Sequence, residues 1–189
     1  LAMCDHLESV EAGVIRIGVD RDGLVKLHEL KFALSDGATF VSVQWVNNET
    51  GVIQPIKEIG LMCREAGVPF HTDAAQAVGK VPINLSELPV DYLSFTGHKL
   101  HAPQGVGVLY AKNIRSVSPM LYGGSQENSI RPGTENLAGI AGLGKAVEIR
   151  TGEFDKSIEY MDSLRKTFES LLLGAVYNVR INGVGAPRV

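Results

Sequence analysis

The chain has 189 residues, of which 44% are hydrophobic and 21% charged, and its formal net charge is −3. This length and composition suffice for a globular domain with a sizeable core and argue against disorder. The interspersed charges form no basic stripe for nucleic acid, and no apolar run approaches the roughly 20 residues that a membrane span needs. We therefore expect no nucleic-acid partner and no membrane association.

The chain has two cysteines, Cys4 and Cys63, too few for a disulfide scaffold in a chain that has other means of building a core. This usage favours a reducing compartment. We expect a cytoplasmic location, with an organelle such as the mitochondrion as the alternative. Both cysteines lie in predicted helices, where a free cysteine commonly acts as a small buried hydrophobic residue rather than a nucleophile.

The first elements in chain order are a helix, a strand, a turn and a second helix. Residues 2–12 separate apolar from acidic side chains at helical spacing, which predicts an amphipathic helix closed by Gly13. Residues 14–19 predict a strand, residues 20–23 a turn and residues 27–34 a short helix.

The next segments predict a strand, a helix and a strand. Residues 39–46 are rich in β-branched and aromatic residues and predict a central strand. Pro55 begins a helix that continues to Gly67, and residues 68–72 form the following strand. A strand, helix and strand of these lengths form a right-handed crossover unit, so the two strands should be parallel.

The second half of the chain predicts two more strands, a loop and two helices. Residues 91–96 and 106–110 are the strands, and residues 120–128 form a loop that contains glycine. Residues 135–173 lack proline and carry apolar residues at helical spacing, interrupted by Gly144 and Gly152, which favours two helices over one.

Polar side chains gather at or just past the predicted strand ends: Asn48, Asp73, Thr96, His98 and Lys99. Ligands of open α/β sheets bind outside the carboxyl ends of the strands, so these residues should face one crevice. A lysine in such a loop is suited to forming an imine, because partial burial or cationic neighbours favour its neutral amine. Taken alone, a lysine such as Lys99 is usually an ordinary solvated surface residue, and Asp73 is equally compatible with a helix N-cap, a role that does not exclude ligand contact.

Four segments resemble, in order and approximate spacing, the NifS/IscS-like cysteine desulfurases: residues 46–51 (VNNETG), 71–80 (HTDAAQAVGK), 94–99 (SFTGHK) and 131–136 (RPGTEN). The resemblance implies an α/β fold, the large domain of a fold-type I pyridoxal phosphate enzyme, with a mainly parallel sheet and helices on both faces. It also implies that the chain is incomplete at both ends. Residues 1–135 would be the central part of the large domain, 136–175 connecting helices, and 176–189 the start of a small C-terminal domain.

The resemblance also implies a role for each site residue. Lys99 would carry pyridoxal phosphate and act catalytically, and Asp73 would bind the pyridine nitrogen. The other implied cofactor-binding residues are Gln76 at the ring oxygen, Thr96 and His98 at the phosphate, and Asn48 beside the cofactor oxygen and the substrate carboxylate. Thr134 would reach the phosphate bound by a second subunit, which implies a homodimer.

The implied reaction converts L-cysteine to L-alanine and leaves an enzyme-bound persulfide, whose sulfur passes through an acceptor or scaffold protein to iron–sulfur clusters or thio-cofactors. The nucleophilic cysteine and the histidine that stacks on the cofactor would lie outside this chain, so we expect the isolated fragment to be inactive. The alternatives are a selenocysteine lyase, a class V transaminase or a non-catalytic remnant. The pairs His98/His101 and His71/Asp73 do not make a metal-binding motif, and we expect no metal.

Overall fold

The computed structural model describes residues 2–189. Within them the α-helices are α1 (Ala2–Ser9), α2 (Leu27–Ser35), α3 (Ile56–Glu65), α4 (Leu137–Gly152) and α5 (Phe154–Ala175). The strands are β1 (Val41–Gln44), β2 (Phe70–Asp73), β3 (Tyr92–Thr96) and β4 (Gly107–Ala111). The order of helices and strands confirms the predicted α/β class.

The four strands form one sheet in the order β1-β2-β3-β4. β1, β2 and β3 are parallel, and β4 runs antiparallel to β3. The predicted parallel pair on either side of α3 is therefore confirmed. The prediction that residues 39–46 form a central strand was wrong in its placement, because β1 is the edge strand of the sheet formed by residues 2–189.

The main core lies between α3 and one face of the sheet. Ile59 and Cys63 of α3 and Phe70 of β2 are almost completely buried in one cluster. The backbone of α3 lies close to the segment that precedes β3, since a Cβ atom added at Gly60 would lie 2.3 Å from the carbonyl oxygen of Pro89. Glycine at position 60 thus lets α3 pack against the segment that leads into β3.

The opposite face of the sheet carries a polar row. The ring of His71 in β2 lies between two serines, with Nδ1 2.8 Å from Ser42 Oγ of β1 and Nε2 3.0 Å from Ser94 Oγ of β3. Ser42 is exposed, and His71 and Ser94 are half-buried. The two faces of the sheet therefore differ: one holds the apolar core, and the other joins three strands through side-chain hydrogen bonds.

The prediction of a strand at residues 14–19 was wrong. Only Val19 forms a bridge, with Val25, and residues 14–18 are not part of the sheet. Ile15 and Val19 are more than half exposed. Residues with a high β propensity form no strand here because none of the four strands lies alongside them to complete the hydrogen-bond ladder.

The prediction of two helices between residues 135 and 173 is confirmed by α4 and α5. α4 begins after Asn136, whose side chain accepts a hydrogen bond from Gly139 N, and it passes through Gly144 without interruption. None of the helices in residues 2–189 is both long enough and apolar enough to span a bilayer. The assignment of residues 136–175 as connecting helices and of 176–189 to a second domain stays a prediction.

The end of the chain returns to the loop after β1. Val189 N donates to Gly51 O at 3.0 Å, and Arg188 pairs with Val52 in an isolated bridge. The Arg188 guanidinium also forms two hydrogen bonds, of 2.8 and 3.1 Å, with the Glu169 carboxylate of α5. Arg188 thus joins α5 to the loop that carries the predicted site residue Asn48.

Candidate active site

The carboxyl ends of β1, β2 and β3 lie side by side, and Asp73 occupies the middle position. Asp73 is in register with Gln44 of β1 and Ser94 of β3. Trp45 N donates to the Asp73 carbonyl oxygen at 2.9 Å, and Ala74 N donates to Ser94 O at 2.8 Å. Hydrogen bonds from both neighbouring strands therefore fix the backbone at Asp73.

Asp73 is half-buried, and only one of its two carboxylate oxygens accepts a hydrogen bond from residues 2–189. Its Oδ1 accepts a hydrogen bond from Ala75 N at 2.9 Å, which is the capping interaction weighed in the sequence analysis. The second carboxylate oxygen accepts no hydrogen bond from residues 2–189. Asp73 can therefore cap the following turn and still accept a proton donor from a ligand.

Lys99 lies in a short 3-10 helix, Gly97–Leu100, directly after β3. Gly97 N donates to Val106 O at 2.9 Å, and a Cβ added at Gly97 would lie 2.8 Å from a methyl group of Val106. The turn ends at His101, which has a left-handed backbone with φ of 63°. This tight turn presents Lys99 at the surface, so the partial burial considered for it is not observed.

A cationic neighbour of Lys99 is present. The pKa of Lys80 lies below its ordinary value, first because the side chain is half-buried and then because of the positive charges of Lys99 and Arg150. Three basic residues thus lie close enough to interact electrostatically. Lys80 had no role assigned from the sequence, and because it lies four residues after Gln76 in turns rather than in a helix, no helical spacing signalled their contact.

Thr96 and His98 form a pair beside Lys99. Thr96 Oγ1 and His98 Nδ1 lie 2.9 Å apart, at the end of β3 and in the first turn of the 3-10 helix. His98 is exposed and Thr96 is half-buried. A hydroxyl and an imidazole in this arrangement provide hydrogen-bond donors for an anion at the end of the strand.

The two asparagines of the loop after β1 have different roles. Asn47 Oδ1 holds the turn by accepting from Glu49 N and Thr50 N, each at 2.9 Å, and from Thr50 Oγ1. Asn48 is exposed and makes one long contact, 3.4 Å from Gln44 Nε2. The structural role belongs to Asn47, and the Asn48 side chain remains accessible to a ligand.

Asn48, Gln76 and Lys80 line one polar cavity of about 500 Å³, together with residues of α5 and of the last segment of the chain. Gln76 Oε1 accepts a hydrogen bond from Lys80 Nζ. The structure therefore brings two of the predicted cofactor-binding residues, Asn48 and Gln76, into a common cavity. Among the described residues, the lining of this cavity does not include Asp73, Thr96, His98 or Lys99.

Thr134 is separate from this group. It is exposed in the loop before α4, and no hydrogen bond within residues 2–189 joins it to Asp73, Thr96 or Lys99. The same described residues contain no group of three or more histidine, cysteine or acidic side chains placed to hold a metal ion. The role of Thr134 stays a prediction.

Comparison with known proteins identifies the family. The model of the family described as "Aminotransferase class-V" matches residues 2–188. The chain belongs to the aminotransferase class-V family. The resemblance stated from four short segments therefore extends over nearly the whole sequence.

Within this class-V family, the chain is similar to curated proteins named cysteine desulfurases. It is 42% identical to "Cysteine desulfurase IscS" of Dictyoglomus turgidum over all of this chain and 48% of that protein. It is 43% identical to "Cysteine desulfurase NifS" of Azotobacter vinelandii over 97% of this chain and 46% of that protein. The chain thus spans about half the length of the curated relatives it matches.

Solved structures of similar proteins have the same fold. A NifS-like protein from Rickettsia africae superposes with a TM-score of 0.88 at 36% identity, over 92% of this chain and 49% of the other. A structure described as "SspA in complex with cysteine" superposes with a TM-score of 0.75 at 38% identity, over 78% of this chain and 43% of the other. These similarities confirm the fold-type I architecture predicted from sequence.

Proposed function

We propose that this chain forms the cofactor-binding part of a cysteine desulfurase that depends on pyridoxal phosphate. The observation that carries the proposal is the position of Asp73, Thr96 and Lys99 at adjacent strand ends in a chain 42% identical to a protein named cysteine desulfurase. Bound pyridoxal phosphate would supply an electron sink for bond cleavage around the α-carbon of an amino acid.

The residues present fit this cofactor. Pyridoxal phosphate needs an accessible amine, an acid for its ring nitrogen and donors for its phosphate. Lys99 offers an exposed amine, and Asp73 has a carboxylate oxygen that takes no hydrogen bond within residues 2–189. Thr96 and His98 supply donors next to Lys99. The cluster therefore contains each type of group that the cofactor requires.

In this proposal each residue has a defined task. Lys99 Nζ would hold the cofactor through its aldehyde and would move protons at the substrate. The Asp73 carboxylate holds a proton on the ring nitrogen because a negative charge favours the protonated form. Gln76 donates to the ring oxygen and Asn48 orients the substrate carboxylate. Thr96 and His98 bind the phosphate.

The substrate would be L-cysteine, whose carbon–sulfur bond is broken. The sulfur joins a thiolate of a cysteine outside this chain as a persulfide, and L-alanine is released. The sulfur would then pass to an acceptor or scaffold protein. We also propose a homodimer in which Thr134 binds the cofactor phosphate of the second subunit, because its exposed loop is separate from the site of its own chain. The two unpaired cysteines support a cytoplasmic location as part of the same proposal.

Borohydride trapping tests this assignment in the full-length protein. Reduction of the protein loaded with pyridoxal phosphate should fix the cofactor on the peptide that contains Lys99, and Lys99→Ala should abolish both trapping and sulfide release from cysteine. A Lys145→Ala variant is the control, since this exposed lysine pairs with Glu148 of the same helix and with no other acidic side chain of residues 2–189. Trapping on another lysine would contradict the proposal.

Parallel assays separate the related activities. With cysteine and selenocysteine as substrates, a desulfurase is expected to release sulfide from cysteine with the higher kcat/KM. A higher value for selenocysteine would favour a selenocysteine lyase. Amino transfer without sulfide release would favour a class V transaminase.

A further inference from the structure

Lys80 is a half-buried cation held by an amide rather than by a carboxylate. Its Nζ donates to Gln76 Oε1, and it forms no ion pair with an acidic side chain in residues 2–189. A partly buried ammonium usually has a carboxylate partner, because desolvation of the charge is costly. The absence of such a partner here indicates a role other than surface solubility.

The surroundings hold Lys80 in place. Arg150 of α4 donates through Nε to the carbonyl oxygen of Gly79 at 2.6 Å and so fixes the residue that precedes Lys80. Gly79 has φ of 76°, a left-handed backbone that glycine adopts easily. Lys80 also lines the polar cavity that contains Asn48 and Gln76. Its direction is therefore set by the fold and points to the candidate site.

The contact determines which end of the Gln76 amide is available to a ligand. An amide carries an oxygen acceptor at one end and an NH₂ donor at the other, and it can rotate to exchange them. An ammonium group donates hydrogen bonds and accepts none. The Gln76 oxygen must therefore face Lys80, which leaves the Nε2 donor free for an anionic oxygen of a ligand.

We propose that Lys80 is a positioning residue that fixes the Gln76 amide with its Nε2 donor facing the ring oxygen of pyridoxal phosphate. This inference rests on the proposed function, which assigns the ring oxygen to Gln76. Lys80 acts through Gln76 and does not itself contact the reacting atoms.

The test uses the full-length protein with Lys80→Met, which keeps the apolar stem and removes the donor. We expect the Kd for pyridoxal phosphate to rise about tenfold, as for the loss of one oriented hydrogen bond. A hydrogen bond donated to the ring oxygen stabilises its negative charge and so makes protonation of the bound cofactor less favourable. Loss of this donor should therefore raise, by about one unit, the pH midpoint of the visible absorption change of the bound cofactor. Lys80→Arg should restore both values, and Lys57→Met, at an exposed position of α3, should change neither.

A Gln76→Ala background distinguishes an effect of Lys80 through the Gln76 amide from an effect of its positive charge alone. If Lys80 acts through Gln76, Lys80→Met should produce no further change in this background. An equal shift of the pH midpoint in both backgrounds would overturn the inference, since Lys80 would then act only by its charge near Lys99. If Lys80→Met unfolds, Lys80→Glu replaces it in both backgrounds. A carboxylate only accepts hydrogen bonds, so it should turn the Gln76 amide and raise the midpoint more with Gln76 present than in the Gln76→Ala background, and equal shifts in the two backgrounds would overturn the inference.

The outcome is distinguishable from failure of the proposed function. If borohydride does not trap the cofactor on Lys99 in the unmutated protein, the proposed function fails before Lys80 is tested. If the cofactor is trapped there and Lys80→Met leaves both the Kd and the pH midpoint unchanged, only the inference about Lys80 fails.

Discussion

Two regions of the molecule differ sharply in how they are held. The layer of β1, β2, β3 and α3 has side chains with no solvent exposure, such as Ile59 and Phe70. The loop of residues 112–136 has no buried residue, and neither has α5. Asp73 and Thr96 end strands of the first region and Lys99 follows one of them, whereas Thr134 belongs to the second region. The packing of residues 2–189 thus fixes the strand ends that carry Asp73, Thr96 and Lys99, but it does not fix the loop that carries Thr134.

The largest expected effect tests this contrast with two phenylalanines. Phe70→Ala should lower the free energy of unfolding by about 3–5 kcal/mol, because it empties a fully buried position between the sheet and α3. Phe168→Ala, in α5 where Phe168 is 65% exposed, should cost less than about 1 kcal/mol. Urea unfolding of both variants provides the measurement. Similar losses at the two positions would show that α5 is as tightly packed as the sheet.

The ion pair between Arg188 and Glu169 gives the next largest effect. Only 9% of the Arg188 side chain and 20% of the Glu169 side chain is exposed, so Glu169→Gln leaves a largely buried guanidinium without its counter-charge. We expect a loss of about 2 kcal/mol in urea unfolding, reduced from the fully buried case by the remaining exposure. Glu148→Gln, in the exposed pair with Lys145, is the matched control and should cost less than about 0.5 kcal/mol.

His71 introduces a pH dependence into the sheet layer. Burial lowers its pKa from the ordinary value, and the nearby negative charge of Asp73 opposes this only in part. The unfolded chain therefore binds more protons than the folded chain as the pH falls below about 6.5, and stability is lost in that range. Unfolding free energies at pH 7.5 and 5.5 should show this loss, and His71→Asn should reduce it. An unchanged pH dependence in that variant would contradict the assignment.

The last expected difference concerns the labelling rates of the two cysteines and involves no change in stability. Burial raises the pKa of the Cys63 thiol to about 11, so little thiolate forms at neutral pH. Cys4 is half-buried in α1. In the folded protein at pH 8, a maleimide reagent should label Cys4 at least about tenfold faster than Cys63, and denaturant should remove the difference. Mass spectrometry of labelled peptides measures both rates. Faster labelling of Cys63 would show that α3 separates readily from the sheet.

The sequence predicted the sheet layer well because local patterns and packing agree there. Pro55 before α3 and the apolar strands on either side of it favour the structure that forms. The strand prediction for residues 14–19 was wrong because a β-branched pattern shows only that a segment is able to pair with a neighbouring strand. No strand of the described sheet lies beside these residues. The position of β1 in the sheet was likewise not encoded in its own residues.

For the candidate site, the sequence predicted which residues lie at the strand ends but not which hydrogen bonds their side chains form. Placing Asp73 and Lys99 at strand ends follows from the elements, whereas the division of labour between Asn47 and Asn48 depends on which side chain closes the turn. The contact between Gln76 and Lys80 depends on the geometry of the turn after β2. Hydrogen-bond partners of this kind are chosen by three-dimensional packing, which a linear pattern does not contain.

The burial of Trp45 has a spectroscopic consequence. Trp45 is the single tryptophan of the chain, and its side chain belongs to the apolar core that includes Ile59 and Phe70. Tryptophan fluorescence from this chain therefore comes from one chromophore in that core. Unfolding of the sheet layer can be followed by that emission without a label.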